Sequence, residues 1–261
     1  MSQAEEGFVS PWKEWAATYK DSPRATFKDG MQFELEAKEV FAALPREGAR
    51  VFDVGCGNGA SLALLLRMGL VPAAVGGCDI LPEFVDLAAK ALPGADVFAM
   101  DISDPDSGGW ERLAAFAPDA VFMKRVLCNL SGRKAQRGAL SRICAALPKG
   151  ARLILIEPMM EGLARLNLLR DAFGLPPLTE PDFNEYPRWK DLSRTLETSG
   201  MRDVTKRDHS SAYYVGSRVL QPFFWPDDEP SYDHPVNAYF MKSVPNREGF
   251  GTHWIITGVK A

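Results

Sequence analysis

Three glycines in five residues lie between two apolar stretches, in the sequence VFDVGCGNGA at residues 51–60. Glycine permits positive φ angles and lets a ligand approach the backbone closely. A helix that begins directly after such a loop offers free N–H groups. An acidic residue, Asp53, lies two positions before the first of these glycines. The combination predicts a loop whose ligand contacts both the backbone and a carboxylate.

Two further acidic residues lie at the ends of apolar runs. Asp79 comes near the end of AAVGGCDI at 73–80, and Asp101 ends ADVFAMD at 95–101. Asp79 lies where a carboxylate could accept hydrogen bonds from the hydroxyl groups of a ribose. A purely structural interpretation also exists, in which Asp79 begins a helix and Asp101 begins a turn, while Asp53 caps the glycine turn.

The glycine pattern by itself fits two nucleotide ligands. Gly55-x-Gly57-x-x-Ala60 matches a degenerate dinucleotide fingerprint, with an acid about 20 residues further on, as in NAD(P)-dependent oxidoreductases. The second ligand is S-adenosylmethionine (SAM), which carries a sulfonium and an ammonium group. Asp53 would repel a pyrophosphate and attract this positively charged ligand. We favour SAM because it accounts for the acidic residues as well as the glycines.

Strands and helices alternate around these residues. Short runs rich in Val, Ile and Phe predict five strands that are apolar on both faces, at 50–55, 73–80, 95–101, 119–126 and 151–159. Helical patterns separate these runs, which predicts right-handed crossovers and a mainly parallel sheet. Ligands bind such sheets at the carboxyl ends of the strands, where the glycine loop and the acidic residues fall.

Together these motifs resemble the class I SAM-dependent methyltransferases over residues 51–130. The resemblance implies SAM as cofactor, S-adenosylhomocysteine (SAH) as product, and a Rossmann-like α/β fold. That fold has a seven-stranded, mainly parallel sheet with the last strand antiparallel, helices on both faces, and a helical and loop cover. It further implies cofactor-binding roles for Tyr19, Asp53, Gly55, Cys56, Gly57, Asn58, Gly59, Asp79, Ile80, Asp101, Ile102, Lys124, Arg125 and Val126.

The methyl acceptor is expected over the ends of the fourth and fifth strands. Glu157, at the end of the fifth, is the first candidate for a base, and His209 is the second; a helix cap and a structural histidine are the alternatives. Cys128-Asn129 occupies the place where many of the resembling enzymes carry a histidine, which removes an obvious base. The candidate substrate-binding residues are Arg24, Asn129, Asn167, Arg170, Asn184, Tyr213, Tyr214 and Arg218.

The length of 261 residues predicts one methyltransferase domain. Its expected parts are an N-terminal helical cover at 1–48, a cofactor-binding core at 49–160, a substrate-cover insertion at 161–190, and a C-terminal helix with strands at 191–261. The insertion resembles a bacterial subgroup associated with sugars and other small molecules. We therefore expect O-methylation, rather than N-methylation, of a small polar metabolite; a SAM-binding protein without catalysis is an alternative.

Charge and composition limit the partners. The net charge of −4 argues against a nucleic acid, and the basic stretch at 131–142 is interpreted as a solvated helix face. Neither a signal peptide nor a membrane span is expected. We therefore expect no membrane partner. Four cysteines without a CxxC pair predict reduced thiols in the cytoplasm, and the spacing of the three histidines predicts no metal site. The oligomeric state is left open between monomer and dimer, and the loop at 222–235 is expected to be a lid or an oligomer contact.

Overall fold

The computed structural model of the chain describes residues 3–228 and 231–261, with side chains from Ser10 onward. Seven strands form one sheet within this part of the chain. They are β1 (Arg50–Val54), β2 (Ala74–Asp79), β3 (Asp96–Ala99), β4 (Ala120–Lys124), β5 (Arg152–Pro158), β6 (Met201–Asp208) and β7 (His253–Lys260).

The strand order across the sheet is β3-β2-β1-β4-β5-β7-β6. Strands β1 to β5 pair in parallel, whereas β7 runs antiparallel to both β5 and β6. The expectation of a seven-stranded, mainly parallel sheet with a reversed last strand is therefore confirmed. Each of the five predicted core strands forms within its predicted range.

Helices cover both faces of this sheet. They are α1 (Gln3–Tyr19), α2 (Gly30–Ala43), α3 (Ala60–Arg67), α4 (Pro82–Ala91), α5 (Gly109–Phe116), α6 (Arg133–Ala146), α7 (Met160–Ala172), α8 (Trp189–Thr198), α9 (Ser211–Val215), α10 (Gln221–Phe224) and α11 (Pro235–Ser243). Short 3₁₀ turns occur at Pro23–Ala25 and Leu127–Asn129, and a π-helical turn occurs at Gly216–Leu220. Among the described residues, none of the helices combines the length and apolarity needed to cross a membrane.

The core lies in two layers, one on each side of the sheet. Successive residues of β1 point to opposite faces, as the two-residue period of a strand requires. Val51 is fully buried among residues of α2 and α3, and Phe52 is fully buried in the layer that includes α5, α6 and α8. Because both faces are covered, the strand ends are the part of the sheet left open to a ligand.

The N-terminal cover and the insertion after β5 meet over these strand ends. The ring centroids of Trp12 and Trp15 in α1 lie 5.9 and 6.0 Å from that of Phe183, in edge-to-face arrangements. The same helix packs through Ala16 against Phe84 of α4. Aromatic contacts therefore hold the two covers together.

Candidate functional site

A cleft opens at the carboxyl ends of β1 to β4 and encloses about 1300 Å³ of empty space, including its mouth. Its wall combines the glycine loop, the ends of the four strands, α1 and the start of α6. Every residue expected to bind the cofactor lines this cleft except Tyr19, Asn58 and Gly59. The motifs that the sequence singled out separately are thus brought to one cavity.

The glycine loop needs glycine for two reasons. Gly55 and Gly57 have φ angles of 74° and 53°, in the left-handed region that favours glycine. A Cβ atom on Gly55 would clash with the side chain of Val126, and one on Gly57 would clash with that of Thr26. The loop therefore leaves the backbone exposed to a ligand while neighbouring side chains pack tightly around it.

Two of the three residues outside the cleft have other partners. Asn58 Nδ2 donates to the carbonyl oxygens of Lys20 and Ser22, both at 2.8 Å, and so ties the loop to the N-terminal segment. Tyr19 packs against the cluster of Ala16 and Phe84. Asn58 therefore holds the N-terminal segment, and Tyr19 lies beside Phe84 at the edge of the cleft; their cofactor contacts stay predictions.

Asp79 and Asp101 each hold a backbone turn and also face the cleft. Asp79 accepts hydrogen bonds from the N–H groups of Gly57 at 2.9 Å and Leu81 at 3.0 Å. Asp101 Oδ1 accepts from Ser103 N at 2.8 Å and Oγ at 2.6 Å. The structural and the ligand-binding interpretations of these two carboxylates are thus compatible.

Asp53 is the most enclosed carboxylate of the cleft, with 2% of its surface exposed. No donor of the described residues hydrogen-bonds to its side chain. Burial raises the pKa of Asp53 well above its usual range, and the nearby charge of Lys124 works in the opposite direction. A carboxylate buried without a donor is costly to ionise, so a cationic ligand would relieve this cost.

Glu157 does not line the cleft, in contradiction to its expected role as a base. The residue is fully buried, and its Oε1 accepts from the N–H groups of Val126 at 2.9 Å and Leu127 at 2.8 Å. Its Oε2 accepts from Cys128 N at 3.2 Å. The carboxylate is therefore occupied in fixing the turn after β4, and it does not cap the helix that follows it, which the structural alternative expected.

His209 also lies away from the cleft. Its Nε2 atom is 3.4 Å from Gln32 Nε2, and within the described part of the chain Nδ1 has no hydrogen-bond partner. Burial lowers the pKa of His209 below its ordinary value. The expectation that this histidine meets the acceptor is contradicted by its position.

Of the predicted substrate residues, Asn129 lines the cleft and Asn184 lies beside it. Asn184 Nδ2 donates to Asn129 Oδ1 at 2.6 Å. Asn167 instead exchanges two hydrogen bonds with the backbone of Leu178, and Arg170 Nε donates to the carbonyl of Pro176. The last pair is used to hold the chain after α7, so its substrate role is contradicted.

The remaining four candidates lie outside the cleft. Tyr213 and Arg218 both bind the carboxylate of Asp29, at 2.7 and 2.9 Å. Tyr214 is hydrogen-bonded through its hydroxyl to His253 Nδ1 at 2.6 Å. The polar groups of these three side chains therefore bind partners inside the protein.

Arg24 is exposed and lies 3.8 Å from Asp233, so it does not reach the cleft either. Asp233 belongs to the loop at 222–235, which was expected to be a lid or an oligomer contact. Residues 229 and 230 of that loop lie outside the described residues.

Two residues of functional interest are not among the site residues predicted from the sequence. Trp12 lines the cleft, and its buried Nε1 makes no hydrogen bond within the described chain. Glu36 is fully buried and contacts both Lys124 and Arg125. The sequence does carry a signal for Glu36, because its helical neighbours Phe33 and Val40 are apolar at spacings of three and four.

Comparison with known proteins identifies the kind of domain that carries this cleft. Residues 52–155 match the family model described as a methyltransferase domain. No curated protein matches the chain. The matched segment contains the glycine loop and all the strand ends that line the cleft.

Solved structures of low sequence identity share the fold. A putative methyltransferase of Haloferax volcanii, in complex with the Trm112 methyltransferase activator, is 16% identical, with 95% of this chain and 96% of that chain covered and a TM-score of 0.59. A SAM-dependent methyltransferase of Thermotoga maritima, described as a possible histamine N-methyltransferase, is 15% identical over 99% and 98% of the two chains, with a TM-score of 0.55. Magnesium protoporphyrin IX methyltransferase of Synechocystis, with bound SAH, is 16% identical over 97% and 94%, also with a TM-score of 0.55.

Proposed function

Since the chain is a SAM-dependent methyltransferase with the class I fold, we propose that it methylates a small polar metabolite, on oxygen rather than nitrogen. The observation that carries the proposal is the order of charges along the cleft. Three carboxylates, Asp53, Asp79 and Asp101, lie at or beside the ends of β1, β2 and β3, and two cationic side chains, Lys124 and Arg125, lie at the end of β4. We treat the whole chain as one functional domain that acts in the cytoplasm on a small-molecule acceptor.

The residues of the cleft fit the cofactor. Asp53 would pair with the ammonium group of the methionine part, Asp79 with the ribose hydroxyls, and Asp101 with the adenine amino group. Trp12 Nε1, which has no hydrogen-bond partner among the described residues, and the exposed backbone of the glycine loop leave donors for other polar groups of the ligands. When bound, SAM supplies an electrophilic methyl group and a neutral thioether as leaving group.

The chain itself mainly orients the acceptor and excludes water. Trp12 and Asn129 line the cleft, and Phe183 and Asn184 contact them from the insertion. This cover supports transfer to a small molecule, because an in-line displacement depends chiefly on alignment. Neither Glu157 nor His209 is proposed as a base.

Calorimetry with purified protein measures whether the cofactor binds, and mass spectrometry detects the methylated product. We expect SAM and SAH to bind and NADPH not to bind. Incubation with SAM and a panel of sugars, phenols, carboxylic acids and amines should yield products that are heavier by one methylene unit, on oxygen. Transfer to amines alone would contradict the proposed acceptor atom, and a failure of SAM to bind would contradict the function as a whole.

Asp79 is expected to make SAM binding depend on pH. Burial raises the pKa of Asp79 to about 6, although the N–H groups of Leu81 and Gly57 favour ionisation. Ribose hydroxyls donate to the ionised carboxylate, so affinity should fall as the pH falls through this value, by up to about tenfold at pH 5. Asp79→Asn should weaken binding by about 1–3 kcal/mol above pH 7 and lose that part of the pH slope. Titration calorimetry between pH 5 and pH 8 checks both effects, and an unchanged slope in the variant would refute the assignment.

Arg142 of α6 holds the loop that carries Asp101, which departs from the interpretation of 131–142 as a solvated helix face. Its Nη2 donates to the carbonyls of Ile102 and Ser103, both at 2.9 Å. Arg142→Ala should raise the dissociation constant for SAM by about three- to tenfold, through loss of loop order. Arg137→Ala is the matched control, because Arg137 makes one surface ion pair with Asp191. Equal affinities in the two variants would show that the loop does not depend on Arg142.

A further inference from the structure

One buried carboxylate contacts two cations at the end of β4. Glu36, in α2, is fully buried; Arg125 Nη1 donates to its Oε2, and Lys124 Nζ lies 3.5 Å from the same oxygen. Although burial alone would raise it, the charges of Arg125 and Lys124 lower the pKa of Glu36 to about 2. Glu36 is therefore ionised and fixes the position of both cations.

Aromatic rings complete the support of this pair. The Arg125 guanidinium lies 3.8 Å from the ring centroid of Phe27, and Lys124 Nζ lies 4.1 Å from that of Phe33. Cation–π contacts of this kind limit the movement of a charged side chain. Both cations are thus held in place before any ligand binds.

Arg125 lines the cleft and has an unusual backbone conformation. Arg125 has a φ angle of 56°, which long side chains rarely adopt, and its N–H donates to Ile156 O at 2.7 Å. Such conformations cluster at functional sites, where the surrounding structure maintains them. Lys124 lines the cleft as well, and its Nζ makes no hydrogen bond within the described residues.

The charges near the end of β4 do not balance once the cofactor is bound. Glu36 offsets one of the two cations, and Asp53 lies close enough to Lys124 to interact with it electrostatically. In the proposed function Asp53 pairs with the ammonium group of SAM. SAM brings a sulfonium, an ammonium and a carboxylate, so it adds one net positive charge to a place where two cations and two carboxylates already cancel. An unpaired charge is costly in such a site. An anion at this place would remove that cost.

We propose that the methyl acceptor is a carboxylate, bound by Arg125 and Lys124, with Glu36 as the residue that positions them. This inference rests on the proposed function. A carboxylate oxygen forms a bond to the methyl carbon while the carbon–sulfur bond breaks and its electron pair goes to sulfur. The products are a methyl ester and SAH, and no proton is transferred.

The other side chains of the cleft agree with an acceptor that needs no base. Its acidic residues are Asp53, Asp79 and Asp101, which the cofactor uses in the proposed function. Burial raises the pKa of Cys56, and the neighbouring carboxylates raise it further, so this thiol remains protonated. A carboxylate is ionised at neutral pH and reacts without deprotonation.

Matched pairs of ligands test the proposal on the SAH-saturated full chain. The probes are benzoate and benzamide, phenylacetate and phenylacetamide, and hexanoate and hexanamide, measured by calorimetry. At least one carboxylate should bind about tenfold or more tightly than its amide, because its bonds to the two cations are charge-assisted. In addition, incubation with SAM and that carboxylate should give an ester whose methyl group is released by alkali. No preference for carboxylates across the panel would overturn the proposal.

Arg125→Gln should reduce the preference to about threefold or less, whereas Arg137→Gln, outside the cleft, should leave it unchanged. Glu36→Gln should also reduce it, and the ratio of carboxylate to amide affinity separates positioning from a general loss of stability. The affinity of every variant for SAH is measured in parallel. If Arg125→Gln weakens SAH binding about tenfold and the wild type shows no carboxylate preference, the cations serve the carboxylate of the cofactor. That result overturns the carboxylate inference and leaves the proposed methyltransferase function standing. If the wild type does not bind SAH, the proposed function itself is refuted.

Discussion

Asp53→Asn is expected to raise the dissociation constant for SAM by about 10- to 100-fold, or roughly 1.5–3 kcal/mol, the range for hydrogen bonds to charged groups. The carboxylate lies at the cleft with 2% of its surface exposed and has no donor of its own among the described residues. Its charge is therefore available to a cationic ligand, and the enclosure strengthens that interaction. Asparagine keeps the size of the side chain and removes the charge, so calorimetry of the variant measures the electrostatic part of binding.

The stability of the ligand-free protein should respond in the opposite direction. Burial raises the pKa of Asp53, which means that the folded state disfavours the ionised form at neutral pH. Removing the charge should leave the melting temperature unchanged or raise it. Asp86→Asn, at an exposed position in α4, is the control and should change neither quantity. Unaltered SAM affinity in Asp53→Asn would contradict the assignment of this carboxylate to the cofactor.

Glu157→Ala is expected to destabilise the protein by about 3–5 kcal/mol, because it leaves three buried N–H groups without an acceptor. In a chain of this size the loss corresponds to a fall in melting temperature of roughly 10 °C. Chemical and thermal denaturation measure it. Glu157→Gln should cost less, because its amide oxygen still accepts hydrogen bonds while its NH₂ group faces a donor.

The same variants separate the turn-fixing role of Glu157 from that of a base. If Glu157 acted as a base, its replacement would reduce turnover and leave the stability near that of the wild type. Burial raises the pKa of Glu157 from 4.5 to about 7, so its protonated form favours folding and this contribution is lost as the pH rises through about 7. The wild type should show this fall in stability between pH 4.5 and pH 7, and Glu157→Gln should lack that part of it. A stable Glu157→Ala protein with abolished turnover would restore the base hypothesis.

The parts predictable from the sequence were those encoded by local patterns. The core strands were apolar on both faces, and the glycine loop with Asp79 and Asp101 lay at their ends, so topology alone brought them to one edge. The hydrogen-bond partners of Glu157 could not be predicted from local patterns. Its three donors belong to the turn after β4, about 30 residues earlier in the chain. Spacing placed Asn167 and Arg170 on neighbouring positions of one helix, but it did not reveal that both bind the chain that follows that helix.

Long-range packing also determines which partners the charged residues bind. Arg218 could equally have bound an anionic substrate, and only the fold shows that Asp29 from the N-terminal cover occupies it. Glu36 lies on the apolar side of α2, but its partners Lys124 and Arg125 lie at the end of β4, nearly 90 residues later. The apolar neighbours of Glu36 in α2 are a local signal for its burial, but its two partners follow only from the fold.

Asn58 lies within the glycine loop, and its side-chain amide donates hydrogen bonds to two carbonyl oxygens of the segment that follows α1. The turn that receives the nucleotide and the first helix are thereby fastened to each other. By thermodynamic reciprocity, a molecule that tightens the turn also tightens the docking of that helix, and loosening the helix weakens the hold on the molecule by the same factor. Cofactor affinity and the docking of the first helix are therefore thermodynamically coupled through Asn58.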